Sequence, residues 1–177
     1  ILSRDRKKHP FGAPLLFTIC VDLHRFEVIM QQRGWTTACN DLFIMVLGIQ
    51  DAALMAENMV IAAESLGLGS CFLGGWPLAA KKLRQQYKIP ERVFPLVGLT
   101  MGYPAENPPI RPRYPLEYHL FKDEYPEFDE KTIQDAMQVM DEGYLAQDYY
   151  SKANYIIPLQ GKREESFTYD TYSWTEH

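Results

Sequence analysis

The amino-acid sequence predicts a layered α+β domain in which helices pack on a β-sheet. Three observations support this class. A chain of 177 residues has the length of about one domain and can bury a sizeable core. Hydrophobic residues make up 46% and charged residues 23% of the chain, as in ordinary globular domains. Short apolar segments typical of strands alternate along the chain with segments of helical periodicity.

The first third of the chain predicts a solvated start, a strand and a helix. Residues Ile1–Pro10 are dominated by charged side chains, and we expect them to be exposed to solvent. Residues Ala13–Val21 form an apolar run typical of a strand that is buried on both faces. Residues Phe26–Gly34 have helical periodicity and end at a glycine, which commonly terminates a helix.

A long apolar helix is predicted from Leu42 or Ile49 to Leu66. Its polar residues fall in pairs that repeat every seven positions, and the remaining residues are apolar or small. A helix of this kind has to be covered on nearly all sides. The cover is either a second subunit or the rest of the same domain, and the pattern favours neither. Gly67 is placed to end this helix in the left-handed conformation.

The second half of the chain predicts further short elements and one long helix. Proline at positions 108, 109, 112 and 115 predicts an extended arm that lies along a surface. The remaining predicted elements are a strand at Ser70–Leu73, a helix at Leu78–Tyr87, a strand at Val93–Thr100, the arm at Asn107–Pro115, a helix from Asp129 to about Tyr149, and a polar tail from Pro158 onward.

Charge, cysteine content and motifs exclude several function classes. A net charge of −5 and a pI of about 5.4 do not favour nucleic-acid or anionic-membrane partners. The apolar runs Pro14–Val21 and Leu42–Ile49 are far shorter than a bilayer-spanning segment of about 20 residues. Three cysteines without CxxC spacing indicate a reducing compartment, and we predict a cytoplasmic protein. The four scattered histidines predict no metal site, and covalent catalysis has no candidate nucleophile.

Two adjacent glycines, Gly74 and Gly75, end the predicted strand at Ser70–Leu73. They follow a strand and not the strand-to-helix order of a dinucleotide fingerprint. Without side chains, they can present backbone N–H groups to a flat ligand that lies against the strand end. A tight turn with no ligand is the alternative, and the glycines alone favour it.

Arg111 and Arg113 are separated by a single proline within the arm. In an extended segment, side chains two positions apart can point to the same side. Two guanidinium groups on one side are suited to a phosphate or a carboxylate. A solvated basic spot without a ligand is the alternative.

Taken together, these segments resemble the FMN-dependent nitroreductase and flavin reductase family, closest to its NADPH-preferring, oxygen-insensitive nitroreductase branch. The resemblance runs from about Ala13 to Tyr125. The residues that carry it are Ala13–Pro14, Asp22–Arg25, Asp51–Ala53, Glu57–Asn58, Ala62–Gly69, Phe72–Gly75, Tyr87–Pro90, Gly98–Pro104 and Asn107–Arg113.

The resemblance implies a nitroreductase-like layered fold, an intertwined homodimer with a mixed β-sheet between helices, and one FMN in each of two interface sites. It implies that Phe72, Leu73, Gly74 and Gly75 run beside the isoalloxazine ring, with backbone N–H groups close to the ring. It further implies that Arg111 and Arg113 hold the FMN phosphate. No catalytic side chain is carried over.

The implied activity is ping-pong hydride transfer from NAD(P)H to a nitroaromatic, a quinone or free flavin. Residues 1–177 are expected to form a single nitroreductase-like domain that lacks two parts of the family pattern. These are the arginine- and serine-rich segment before the strand at Ala13, and the extreme C-terminus. Since the missing segment belongs to the flavin site in the family, the alternative is a non-catalytic dimeric binding protein of the same fold that has lost its flavin.

Overall fold

The structure, a computed structural model, describes residues 1–3 and 9–149. The chain divides into two compact units, Ile1–Glu106 and Asn107–His177. The prediction that the whole chain forms one nitroreductase-like domain stays a prediction. The predicted tail from Pro158 onward lies outside the described residues.

The first unit contains a three-stranded sheet of β1 (Leu15–Asp22), β2 (Gly69–Leu73) and β3 (Val93–Gly102), in the order β1-β3-β2. Both pairings are antiparallel. The expectation of a mixed sheet is therefore wrong for the described residues. An apolar run reports that a strand is buried, and burial does not fix the direction of its neighbours.

The described residues contain four helices of eight or more residues. They are α1 (Leu23–Gln32), α2 (Asp41–Ser65), α3 (Ala80–Tyr87) and α4 (Glu130–Leu145). Side-chain oxygens of Asp22, Asn40 and Asp129 accept hydrogen bonds of 2.7–2.9 Å from backbone N–H groups in the first turns of α1, α2 and α4. These caps satisfy donors that a helix start leaves free. The predicted helices and strands are all present, with ends that differ by a few residues.

One face of α2 packs on the sheet through small side chains. Its buried residues Ala52, Ala56, Val60 and Ala63 form one core with Ile19, Val21, Leu99 and Met101 of β1 and β3. Small side chains let the helix approach closely: a Cβ atom built on Gly48 would lie 2.6 Å from Cγ1 of Val21. The close contact requires glycine at this position.

The other faces of α2 are open in the single chain. Leu47, Leu54 and Ile61, spaced seven residues apart, are 44%, 67% and 57% exposed. By length and composition alone, α2 could cross a membrane, since its mean hydropathy is 1.5 over 18 residues. The run Leu42–Ile49, which the sequence analysis considered by itself, covers only the first part of this helix. The alanine face of α2 packs on a sheet, as in the core helix of a layered domain.

The expectation of an exposed chain start is wrong for Ser3 and His9, whereas Ile1 and Leu2 are exposed as expected. Leu2 bridges Phe17 of β1, and the Ser3 N–H donates to the Leu16 carbonyl at 2.8 Å. Ser3 and His9 are buried. Backbone hydrogen bonds to the edge of β1 hold residues 1–3 in place. The amino-acid composition of the chain start gives no indication of such backbone contacts. Residues 4–8 lie outside the described residues.

Candidate functional site

The Gly74–Gly75 pair forms an exposed turn at the end of β2, which we call the glycine turn. The preceding residue, Leu73, still pairs with Gly98 of β3. The following residues, Trp76–Ala79, form a short 3₁₀ turn in which the Gly75 carbonyl accepts from the Leu78 N–H at 3.2 Å. Gly74 and Gly75 thus end β2, as the sequence predicts.

The backbone of the glycine turn does not itself require glycine. Gly75 has φ −71° and ψ 1°, values that any L-residue adopts, and Gly74 is not in the left-handed region either. A Cβ atom built on either residue would meet nothing within 4 Å. Within the described part of the chain, no acceptor bonds to the N–H group of Gly74 or Gly75. The turn therefore offers two free donors and open space over both α-carbons.

The two residues before the turn lie on the edge strand of the sheet. Phe72 pairs with Leu99 and is 44% exposed. Leu73 is half-buried. The structure thus brings four of the six predicted site residues together in one continuous segment, with its outer surface open.

Trp76 fixes the other end of the turn, a contact that the sequence analysis missed. Its indole N–H donates to the hydroxyl of Thr18 at 3.0 Å, across 58 residues of sequence. A glycine inside a strand often marks a site of close approach. Gly98, a glycine inside the predicted strand at Val93–Thr100, was the signal in the sequence that another side chain packs against the backbone of this strand.

In the second unit, Arg111 has a defined orientation. Its Nη1 donates to Oε1 of Gln147 at 2.6 Å, and the guanidinium carbon lies 4.1 Å from the ring centroid of Tyr149. The amide of Gln147 in turn donates to the carbonyl of Ile110 at 2.8 Å. The turn after α4 therefore holds the arm at the position of Arg111.

Arg113 is exposed, and its Nη1 donates to the carbonyl of Pro112 at 3.0 Å. Pro112 itself packs against α4, because a Cβ atom built on Gly143 would lie 2.6 Å from its Cγ. The arm carries no helix or strand between residues 107 and 115, as the prolines predict. The two guanidinium groups thus have different contacts, and their shared hold on one phosphate stays a prediction.

The cysteines do not form a second site. Cys71 is exposed on β2, although the residues around it in sequence are apolar. Burial raises the pKa of the Cys20 thiol, the opposite of what an activated nucleophile needs. Cys20 lines a cavity of about 440 Å³ together with residues such as Met55, Met59 and Ile89. None of the six predicted site residues lines this cavity.

Comparison with known proteins assigns the family. A sequence model described as the nitroreductase family matches residues 3–103, more than half of the chain. The chain belongs to the nitroreductase family. The matched region contains the whole sheet and the glycine turn, while the arm with Arg111 and Arg113 lies beyond it.

Curated relatives and solved structures agree with the family assignment. The chain is 34% identical over 139 residues to an oxygen-insensitive NADPH nitroreductase of Salmonella typhimurium, covering 78% of this chain and 56% of the relative. It is 31% identical over 154 residues to an FMN reductase (NADPH) of Bacillus subtilis, and this match covers 86% of this chain and 59% of the relative. The solved structure of the NfrA1 nitroreductase from B. subtilis superposes with a TM-score of 0.75 at 28% identity, covering 99% of this chain and 71% of that one. The chain spans about half the length of the curated relatives that it matches.

Proposed function

We propose that this nitroreductase-family protein is an FMN-dependent NAD(P)H oxidoreductase. The observation that carries the proposal is the glycine turn, whose exposed N–H groups have no acceptor within the described residues and whose α-carbons face open space. Neither backbone conformation nor packing within the chain accounts for the two glycines. A flat ring that lies against the backbone accounts for both.

The donor set fits FMN. The N–H groups of Gly74 and Gly75 can donate to the polar edge of the isoalloxazine ring, and the exposed part of Phe72 can pack beside it. Arg111 and Arg113 carry planar, positively charged forks of donors, which suit a phosphate. In this proposal, residues 72–75 would hold the ring, and Arg111 and Arg113 would hold the phosphate.

FMN supplies hydride acceptance and donation when it is bound. The chain's own residues bind the cofactor, orient its ring and present N–H dipoles where negative charge develops on it. No side-chain acid or base is needed for these tasks. The relatives named NADPH nitroreductase and FMN reductase (NADPH) support NADPH as the hydride donor. A nitroaromatic, a quinone or free flavin is the proposed acceptor.

We propose further that the protein is a cytoplasmic homodimer with neither a nucleic-acid nor a membrane partner. Leu47, Leu54 and Ile61 form an exposed apolar stripe on α2, and a second copy that covers this stripe would remove it from water. Replacement of Leu54 by glutamate should then convert the dimer to a monomer. Gln85→Glu adds the same charge at an exposed polar position of α3, away from this stripe, and serves as the control. Light scattering on a sizing column measures both, and a wild-type monomer at micromolar concentration contradicts the dimer.

The test of the activity starts with the colour of the purified protein. We expect a yellow preparation, or one that becomes yellow on reconstitution, with one FMN per chain. Steady-state kinetics with NADPH and a nitroaromatic or quinone acceptor should give parallel double-reciprocal lines, because one substrate leaves before the other binds. A colourless protein that cannot be reconstituted with FMN refutes the proposal and supports the non-catalytic binding protein.

A further inference from the structure

The side chain of Trp76 crosses the sheet immediately after the glycine turn. Thr18, Gly98 and Leu73 are direct partners in one row across β1, β3 and β2. The indole lies over this row, since it donates to Thr18 at one end and covers Gly98 in the middle. The chain leaves the row at Leu73 and returns to it at Trp76 after only two residues.

Gly98 makes this return possible. A Cβ atom built on it would lie 2.7 Å from Cδ2 and 2.9 Å from Cε3 of Trp76, and 3.1 Å from Cβ of Leu73. These distances are too short for any side chain. The indole therefore rests directly on the backbone of β3, which it could not do over another residue.

Thr18 supplies a polar partner inside the core. It is 1% exposed, and its hydroxyl accepts the indole N–H. A buried donor without a partner is costly, so the hydrogen bond selects one orientation of the ring. Ile19 and Leu99, the chain neighbours of Thr18 and Gly98, belong to the core under α2. Because side chains alternate along a strand, Trp76 lies on the sheet face opposite α2.

We propose that Trp76, through Thr18 and Gly98, is a positioning residue that holds the N–H groups of the glycine turn in place for the flavin ring. This inference rests on the proposed function. The turn itself has no side chains that could pack, and its N–H groups make no hydrogen bond within the described residues. Its geometry therefore depends on its two fixed ends, the ladder pair of Leu73 and the indole of Trp76. A turn that is ordered before FMN binds loses less entropy on binding.

The experiment removes the hydrogen bond from each end. Trp76→Phe keeps an aromatic ring over Gly98 and loses the N–H donor. Thr18→Val keeps the volume and loses the acceptor, while Thr18→Ser retains the hydroxyl as the conservative rescue. Trp35→Phe is the matched control, because Trp35 is a 54% exposed tryptophan that packs under Arg33. Each purified protein is checked for folding by circular dichroism and then titrated with FMN, with visible absorption and tryptophan fluorescence as readouts.

We expect Trp76→Phe and Thr18→Val each to weaken FMN binding about three- to tenfold, the loss of one hydrogen bond. The double variant should bind FMN with the same affinity as the single variant that binds it more weakly, because the two substitutions remove the same hydrogen bond. The visible spectrum of bound FMN should change in both single variants. Thr18→Ser and Trp35→Phe should match the wild type, and FMN should still quench the fluorescence of Trp35→Phe.

The results that overturn the inference can be told apart. If wild-type protein does not bind FMN, both the proposed function and the positioning role are refuted. If wild-type protein binds FMN while the folded Trp76→Phe and Thr18→Val variants keep its affinity and its spectrum, only the positioning role is refuted. A fall in thermal stability with unchanged affinity and spectrum also refutes it, since Trp76 then serves only the fold.

Discussion

Replacing Gly75 by alanine tests whether a ring lies against the glycine turn. The backbone of Gly75, at φ −71° and ψ 1°, accepts alanine without strain. The new methyl group would meet nothing within 4 Å in the free chain. Weaker FMN binding by the variant would therefore report a contact with the bound ring and not a clash among the described residues.

The two expected effects have opposite signs. Alanine reduces the freedom of the unfolded chain and should stabilise the fold by about 0.4–1 kcal/mol. For a chain of this size, this corresponds to a rise in Tm of at most about 4 °C. The methyl group would at the same time stand where the ring approaches the backbone. Loss of one hydrogen bond worth about 0.5–1.5 kcal/mol weakens FMN binding about two- to tenfold, and displacement of the ring adds to this.

Differential scanning fluorimetry of the apoprotein and an FMN titration measure the two effects on the same preparation. Gly12→Ala is unsuitable as a control because its φ of 67° strains alanine whatever the space. Gly74→Ala is the better companion, since it also has open space and no positive φ. An unchanged FMN affinity in both variants would refute the ring contact. A clear fall in Tm would show instead that the turn needs glycine for its own backbone.

Three further outcomes are expected. Arg111→Ala and Arg113→Ala should each weaken FMN binding about tenfold to a hundredfold, because each loses a charge-assisted hydrogen bond worth about 1.5–3 kcal/mol. Equilibrium titration with FMN measures this change. Unchanged affinities in both variants would show that other residues hold the phosphate. Gly98→Ala should destabilise the fold by about 1–3 kcal/mol in urea, because its Cβ overlaps the indole; a neutral result would contradict the close packing. The ion pair with Arg92 holds the pKa of Asp41 below its ordinary value, so its contribution is present above that value and is lost as the pH falls through the folded-state pKa. Urea midpoints should be lower for Asp41→Asn than for wild type at pH 7. The two should converge only as the pH falls below the ordinary aspartate pKa and through the lower folded-state pKa, and a gap independent of pH would assign the effect to another cause.

The sequence predicted the elements well because local signals mark them. Asp22, Asn40 and Asp129 cap helices at the positions where the periodic segments begin. The strand direction could not be predicted in the same way. An apolar run such as Ala13–Val21 reports burial on both faces, and an antiparallel strand between other layers satisfies that requirement as well as a parallel one.

The contacts that hold the candidate site could not be predicted from local pattern. Trp76 meets Thr18 across 58 residues, and Arg111 meets Gln147 across 36. Neither pair has a periodic spacing, and each depends on the register of elements that only the folded chain fixes. Cys71 illustrates the same limit, because β2 lies at the sheet edge and exposes a residue in an apolar run.

The glycine turn shows why the two explanations of a glycine pair have to be separated by geometry. A turn that needs φ above zero, as at Gly67 with 74° after α2, explains its glycine within the chain. A close approach does the same at Gly98, where the indole occupies the space of a side chain. Gly74 and Gly75 have neither feature, yet they form a turn that is fixed at both ends, by the pairing of Leu73 and by the indole of Trp76. Where backbone conformation and packing among the described residues both leave a glycine unexplained, a group that approaches from outside is the physical reason that we propose, and the N–H donors of the turn suit an acceptor on that group.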